Sequence, residues 1–319
     1  MQHAPTPRAG KPARQTPARA TPPAKAVQVI EELRPGQSIE LLKELHILTR
    51  EGKLNQDTRR KLKQVYHLYQ LIAPLLEEVS ANGRPFTLAD HGAGKSYLGF
   101  ILYDLFFNVA HPGEKKGGHI YGIETRAELV DKSRALAQRL GFERMTFLNL
   151  SVQQATTSDQ LPAQVDIVTA LHACDTATDD AIAFGLHKQA RHMVLVPCCQ
   201  AEVAGVLRRN KALSLSKTPL AELWRHPLHT REFGSQITNV LRCLQLEAHG
   251  YDVTVTELVG WEHSMKNELI IASRPPSPNA AKTRQAQARL REVLAELNLG
   301  ELTARFALPA EGEVSASAS

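Results

Sequence analysis

The segment FTLADHGAGKSYLG, residues 86–99, contains the residue types whose spacing most clearly indicates chemistry. Its GKS triplet at 94–96 looks like the end of a nucleotide-triphosphate loop, but Ala89 stands where that loop needs its first glycine. A dinucleotide loop needs a third glycine, for close packing of helix on strand, at the position of Tyr97. The segment therefore predicts a ligand-binding loop that is neither a triphosphate loop nor a dinucleotide loop.

An acid and two glycines define this loop. Gly92 and Gly94 allow a ligand to approach the backbone, and Asp90 can accept hydrogen bonds from a cationic ligand. The next predicted strand ends at Glu124, whose carboxylate can accept from both ribose hydroxyls of an adenosine. The third ends near Ser151, where adenine would lie. S-adenosylmethionine, with an ammonium, a sulfonium and no phosphate, is the predicted cofactor.

The rest of the chain alternates between strand and helix patterns, which predicts an α/β fold. Strands are predicted at residues 86–90, 119–124, 145–150, 165–171, 192–197, 251–259 and 267–273. No helix separates the last two strands, so they are expected to pair antiparallel. The prediction is a Rossmann-like, seven-stranded, mostly parallel sheet with an antiparallel last strand. In such a sheet, ligands bind beyond the carboxyl ends of the strands.

Further segments flank the predicted core domain, 85–274. The basic Pro- and Ala-rich tail, 1–30, and the final residues, 307–319, are predicted to be disordered, because they cannot bury enough apolar surface. Residues 38–84 form a predicted N-terminal helical extension, with helices at 38–50 and 55–80, and 280–306 a C-terminal helix. Residues 198–234 are predicted to be irregular, with a helix at 235–249.

Composition limits the cellular setting. The hydrophobic content of 43% is enough for a sizeable core, no apolar run is long enough to span a membrane, and the N-terminus lacks a secretory core. The 4 cysteines show no disulfide-framework spacing, which favours a reducing, cytoplasmic location. The cations of residues 1–30 account for the formal charge of +5, so the body is close to neutral.

Over residues 58–273 the chain resembles the class I S-adenosylmethionine-dependent methyltransferases. Three segments, LHACDTATDDAI at 171–182, VPCCQ at 196–200 and MKNELIIAS at 265–273, are similar to a narrower group. This is the methyltransferase domain shared by tRNA acceptor-stem ribose methyltransferases and glutathione S-transferase C-terminal-domain-containing proteins. The chain departs from that group at Asp175, which replaces a glycine, and at Gln200, which replaces a histidine. It also lacks the zinc modules of the tRNA enzymes.

The acceptor would arrive at the ends of the fourth and fifth strands. His172 is the predicted catalytic residue, orienting or deprotonating the acceptor. Cys198, Cys199 and Lys63 are predicted to contact the substrate. A zinc site from His172, the neighbouring Cys174 and the two adjacent cysteines is disfavoured, because adjacent cysteines rarely reach one metal, so no metal is predicted.

Asp175 and Asp179 are expected to be helix caps rather than catalysts, since both are near a predicted helix start.

RNA is the predicted methyl acceptor, because basic residues precede the ligand loop, follow the helix after that loop and follow the fifth strand. These residues are Arg59, Arg60, Lys61, Lys63, Lys115, Lys116, Arg208, Arg209 and Lys211. A protein or small-molecule acceptor, or a non-catalytic module that binds the cofactor, is the alternative. An NAD-dependent oxidoreductase is disfavoured by Tyr97 and by the final hairpin.

Overall fold

The computed structural model describes residues 32–81, 83–113, 117–171, 175–197, 200–210, 218–258 and 268–309. The predictions made for the tail at 1–30, for His172, for Cys174 and for the pair Cys198 and Cys199 lie outside these residues, as do those for Lys115, Lys116, Lys211 and most of 307–319.

The described residues form one seven-stranded sheet in the order β3-β2-β1-β4-β5-β7-β6. Its strands are β1 (Phe86–His91), β2 (Gly118–Ile123), β3 (Met145–Leu148), β4 (Ile167–Leu171), β5 (His192–Val196), β6 (Asp252–Glu257) and β7 (Glu268–Ser273). The first five are parallel, and β7 is antiparallel to both β5 and β6. The predicted sheet, including its reversed last strand, is confirmed.

Helices cover both faces of the sheet. They are α1 (Ile39–Glu44), α2 (Gln56–Ser80), α3 (Tyr97–Tyr103), α4 (Ala127–Leu140), α5 (Val152–Thr157), α6 (Thr176–His187), α7 (Glu202–Asn210), α8 (Pro227–Ala248) and α9 (Ala280–Glu296). A π-helical segment, Asp104–Ala110, continues α3. The central strands are buried on both faces, as parallel strands between two helical layers must be.

A second apolar cluster joins the C-terminal helix to the core. Leu290 and Leu294 of α9 pack with Leu241 of α8 and Leu207 of α7, and Phe306 closes the cluster. All five side chains are buried, so the C-terminal helix is packed as part of the folded unit. The helix ends at Glu296 rather than at residue 306, because Asn298 adopts a positive φ of 53°.

The prediction of an irregular stretch over 198–234 was wrong in part. α7 occupies Glu202–Asn210, and α8 begins at Pro227 rather than at residue 235. Proline at the first helical position has no N–H to leave unpaired, which favours this start. α7 forms because Val203, Val206 and Leu207 bury one face of it.

Asp175, which replaces a glycine of the resembling family, has an unusual backbone conformation. Its φ of 52° and ψ of −122° belong to a region that glycine tolerates best. The carboxylate makes no cap bond to α6, so the expected cap on its own helix is wrong. Instead it accepts from the backbone N–H groups of Ala201 (2.9 Å) and Glu202 (3.3 Å) and caps the start of α7. These bonds compensate for the backbone strain.

Replacing Asp175 separates these two effects. We expect Asp175→Ala to keep the strain and lose the cap, lowering the free energy of unfolding by about 1–2 kcal/mol. Asp175→Gly loses the same cap but relieves the strain, so its unfolding free energy should lie between those of the wild type and Asp175→Ala. Urea denaturation of the three proteins measures this order. Equal stability of the Ala and Gly variants would contradict the strain.

Candidate functional site at the carboxyl ends of the strands

Asp90 lies at the carboxyl end of β1, paired in register with Gly122 of β2 and Thr169 of β4. Its side chain is buried, and its Oδ1 accepts a hydrogen bond of 2.8 Å from the hydroxyl of Thr169. Burial raises the pKa of the Asp90 carboxyl from 3.8 to about 7, against the opposing effect of the hydrogen bonds. A cationic group at this carboxylate would favour its ionised form.

The glycine loop turns away from β1 through positive φ angles. Gly92 (61°), Gly94 (57°) and Ser96 (49°) all adopt them, and α3 begins directly afterwards at Tyr97. Gly99 lies in the first turn of α3, three positions after Ser96. A Cβ atom there would lie 2.7 Å from the Ser96 hydroxyl oxygen, so any larger residue requires the Ser96 side chain to move.

Glu124 follows β2 and is bonded directly to the glycine loop. Its Oε2 accepts from the Gly94 N–H at 2.8 Å, and its Oε1 accepts from the backbone N–H and side-chain Nε of Arg126, both at 3.0 Å. Burial acts to raise the pKa of Glu124, but the bonds from Arg126 and Gly94 outweigh it and lower the pKa to about 2. Glu124 is therefore an ionised acceptor beside the loop.

The third strand end is bonded to the second. The side-chain amide of Asn149, after β3, donates to the carbonyl oxygens of Glu124 (3.0 Å) and Thr125 (2.8 Å). Ser151 is the N-cap of α5, with a reciprocal capping box to Gln154. The structure thus brings Asp90, Gly92, Gly94 and Glu124 together, while the hydroxyl of Ser151 accepts from its own helix. A role for Ser151 toward adenine stays a prediction.

The other half of the edge is formed by β4 and β5. Leu171 and Val196 are adjacent in register at the ends of these strands. His172, Cys198 and Cys199 follow these ends in the chain but lie outside the described residues, so their predicted roles stay predictions.

Lys63 is exposed on α2, and two contacts show how this helix runs. Near its C-terminal end, Glu78 pairs with Arg191 (2.8 Å) at the amino end of β5. Eleven residues earlier, the Nε2 atom of His67 lies 3.4 Å from the carbonyl oxygen of Glu257, at the carboxyl end of β6. The first turns of α2, including Lys63, therefore extend past the carboxyl edge of the sheet.

Within the described residues no group of three or more His, Cys, Asp or Glu side chains could hold a metal ion. None of the described helices combines the length and the apolar character that crossing a bilayer requires.

A family model described as a methyltransferase domain matches residues 60–206. This range contains the glycine loop, Glu124, the third strand end and the ends of β4 and β5. No curated protein matches the chain.

Solved structures of methyltransferases are similar at low identity. Magnesium protoporphyrin IX methyltransferase (ChlM) from Synechocystis PCC 6803, with bound SAH, is 15% identical over 74% of this chain and 93% of that chain, with a TM-score of 0.41. A putative O-methyltransferase from Klebsiella pneumoniae is 13% identical over 77% and 94%, with a TM-score of 0.45. An rRNA methylase from Streptococcus thermophilus is 7% identical over 60% and 87%, with a TM-score of 0.37.

The raised pKa of Asp90 predicts a pH-dependent cost of folding without ligand. Below about pH 4 the carboxyl is protonated in both states and the cost is absent. Between its unfolded pKa of 3.8 and its folded pKa of about 7, the unfolded chain binds fewer protons, so this residue lowers stability as pH rises. Asp90→Asn should therefore gain stability relative to the wild type over this interval and keep the gain above it.

Chemical denaturation across this pH range measures the difference between the two proteins. Asp131→Asn is the matched control, because the side chain of Asp131 is 73% exposed on α4. A difference for Asp90→Asn that does not grow with pH, or that Asp131→Asn reproduces, would contradict the buried carboxyl.

Proposed function

We propose that this chain, a methyltransferase that uses S-adenosylmethionine, transfers the methyl group to RNA. The enzyme class and the cofactor follow from the methyltransferase domain at residues 60–206 on the seven-stranded sheet. The residue roles and the acceptor given below are our proposals, as is a cytoplasmic location.

In our proposal the two buried carboxylates bind opposite ends of the cofactor. Asp90, with the backbone of Gly92 and Gly94, binds the methionyl end, whose ammonium stabilises the ionised form of this carboxyl. Glu124 accepts from the ribose hydroxyls, since it is ionised and lies next to Gly94. The N–H of Gly94 already binds Glu124, so the loop and the ribose acceptor are held in one arrangement.

When bound, the cofactor supplies a methyl group activated by its sulfonium. The protein mainly has to orient the acceptor in line with that methyl carbon and remove water. We assign His172 to orienting the acceptor or to taking the proton that a hydroxyl or amine releases as its new bond to carbon forms. The position directly after β4 supports this role, because the carboxyl ends of β1 and β4 are neighbours.

The observation that carries the RNA proposal is the basic start of α2. Arg60 and Lys63 are exposed, and neither forms an ion pair with any residue that the structure describes. They extend past the edge at which methyl transfer would occur, so they can contact the phosphates of a bound strand. Lys61 is weaker support, because Asp57 pairs with it at 2.9 Å.

A second cationic surface lies after β5. Arg208 is exposed near the end of α7, about 9 Å along the helix from Glu202, the first residue of that helix. Arg209 pairs with Glu301 at 3.1 Å and is partly neutralised. Cations on two sides of the acceptor edge favour a polyanion over a small neutral acceptor.

A groove beside the same edge favours a small-molecule acceptor as the alternative. It measures about 540 Å³ and lies between α6, α7 and the C-terminal turn at Leu302. This volume is within the range of small-molecule sites, roughly 300–1,000 Å³. Its acidic lining is already compensated, because Glu202 pairs with Arg305 at 3.0 Å and Glu301 pairs with Arg209, which also lines the groove. The groove therefore supports a small molecule by its size rather than by its charge.

Labelled S-adenosylmethionine separates these acceptors. The pure protein is incubated with the cofactor and total cellular extract, followed by ribonuclease or protease treatment. RNA as the acceptor predicts label in material that ribonuclease releases and protease does not. Label that survives ribonuclease and is lost to protease, or that appears only in small molecules, would overturn the RNA proposal.

The α2 cations should also determine the salt dependence of RNA binding. The double variant Arg60→Ala/Lys63→Ala should reduce the slope of log K against log salt by about 0.7 for each single-strand phosphate that the protein no longer neutralises. Arg284→Ala is the matched control, because it is exposed on α9 near Lys282, which pairs with Asp252 at the amino end of β6. Filter binding at several salt concentrations measures both, and equal slopes in the two variants would contradict the assignment.

A further inference from the structure

A buried polar network connects α8 to residues beyond the carboxyl ends of β4 and β5 and at the start of β7, where we expect the acceptor. Three residues on one face of α8 form what we call the α8 stripe: Ser235, Asn239 and Arg242. They are spaced by four and three positions, so they lie on one side of the helix. Arg242 is 0% exposed and Asn239 is 5% exposed.

Arg242 binds the start of α6. Its Nε and Nη2 atoms each lie 2.7 Å from a carboxylate oxygen of Asp179, which forms a two-pronged ion pair. Nη2 also donates to the carbonyl oxygen of Asp175 at 2.9 Å. Asp179 is thus an ion-pair partner within α6 rather than the helix cap that the sequence predicted. Arg242 therefore binds both Asp179 and Asp175, the residue that directly follows 172–174.

Asn239 connects the other two segments. Its Oδ1 accepts from Gln200 Nε2 at 2.9 Å and from Arg242 at 3.1 Å. Its Nδ2 donates to Glu268 at 2.7 Å, and the Ser235 hydroxyl donates to Gln200 Oε1 at 2.6 Å. Gln200 therefore has specific partners at a position where the resembling family has histidine.

The three residues held by the stripe share a place in the chain. Asp175 follows 172–174, Gln200 follows 198–199, and Glu268 follows 259–267. Asp175 is thus the first described residue beyond the end of β4, Gln200 lies just beyond the end of β5, and Glu268 is the first residue of β7. The hydrogen bonds described for Asp90, Gly94 and Glu124, on the cofactor half, do not involve the stripe.

Stability alone does not account for this network. A buried ion pair loses the hydration of both charges, and apolar residues of similar size often replace such pairs without loss of stability. A network that is satisfied by several precise bonds instead specifies one arrangement of the segments that it joins.

We propose that the α8 stripe is a positioning device for methyl transfer, which fixes Asp175, Gln200 and Glu268 relative to one another. The stripe acts through these three partners and does not touch the cofactor. The inference rests on methyltransferase activity but not on RNA as the acceptor.

Hydrogen exchange tests the proposal without any acceptor. Asn239→Leu removes the centre of the network, and we expect exchange about tenfold faster in peptides covering 168–176, 196–203 and 268–271. Peptides covering the ends of β1, β2 and β3 should keep their wild-type rates, and calorimetry should give an unchanged affinity for S-adenosylhomocysteine. Thr238→Val is the matched control, because among the residues that the structure describes its buried hydroxyl bonds only to Gly234 in the same helix, at 2.7 Å.

A narrower variant keeps the test decisive if Asn239→Leu does not fold. Gln200→Met removes only the bonds from the stripe to Gln200, so it should speed amide exchange in 196–203 and leave 168–176 protected. Wild-type exchange in the folded variants, or faster exchange spread evenly over the sheet, would overturn the proposal.

Turnover separates positioning from a merely structural role. Turnover is measured with labelled S-adenosylmethionine and total cellular RNA. Asn239→Leu should lower kcat by about 100-fold, the scale for displacing the reacting groups by about 1 Å. The KM for the cofactor should not change. A wild-type kcat in this variant would overturn the positioning role. If the wild type itself labels no RNA, the proposed acceptor fails, while the exchange experiment still decides the present inference.

Discussion

Five neighbouring parallel strands end at one edge of the sheet, and the residues that we assign to the cofactor depend on this constraint. The order β3-β2-β1-β4-β5 brings together loops that are far apart in the chain. The chain leaves β1 toward β2 on one side and later returns to β4 on the other, which opens a crevice between them. In our proposal the cofactor side lies at β1, β2 and β3, and the acceptor side lies at β4, β5 and β7.

The pKa values of the two carboxyl groups on the proposed cofactor side are shifted in opposite directions. Asp90 is buried with a neutral hydroxyl as its side-chain partner, so its pKa rises to about 7. Glu124 is also buried, but Arg126 and the Gly94 N–H bind it and lower its pKa to about 2. In our proposal this difference suits a cofactor with a cationic end and a neutral ribose. The cationic end favours the ionised form of Asp90, while Glu124 is ionised before the cofactor binds.

The sequence was sufficient to predict the sheet and the grouping of Asp90 and Glu124 at the ends of neighbouring strands. Alternating patterns located the strands, and adjacent parallel strands bring Asp90 and Glu124 together because one βαβ unit separates them. The acceptor side was less predictable, since it depends on contacts between residues distant in the chain. Arg242 and Asp179 are 63 positions apart, and no local pattern indicates their pairing.

Local signals existed for two features that the sequence analysis missed. Val203, Val206 and Leu207 have helical spacing, and Pro227 is a typical first residue of a helix, so α7 and the start of α8 were within reach. The positive φ of Asp175 had one signal, the glycine that the resembling family has at this position. The bonds that Asp175 makes to the amides of α7 and to the guanidinium of Arg242 join residues distant in the chain, and no local pattern indicates them.

The central claim is that Glu124 and the glycine loop form the cofactor site, and calorimetry with S-adenosylhomocysteine tests it most directly. The account predicts that the wild type binds and that Glu124→Ala loses roughly 1–3 kcal/mol of binding free energy, the scale for hydrogen bonds to a charged group. Glu128→Ala, at an exposed acid in the first turn of α4, should bind as the wild type does. No binding by the wild type, or an equal loss in both variants, would contradict the account.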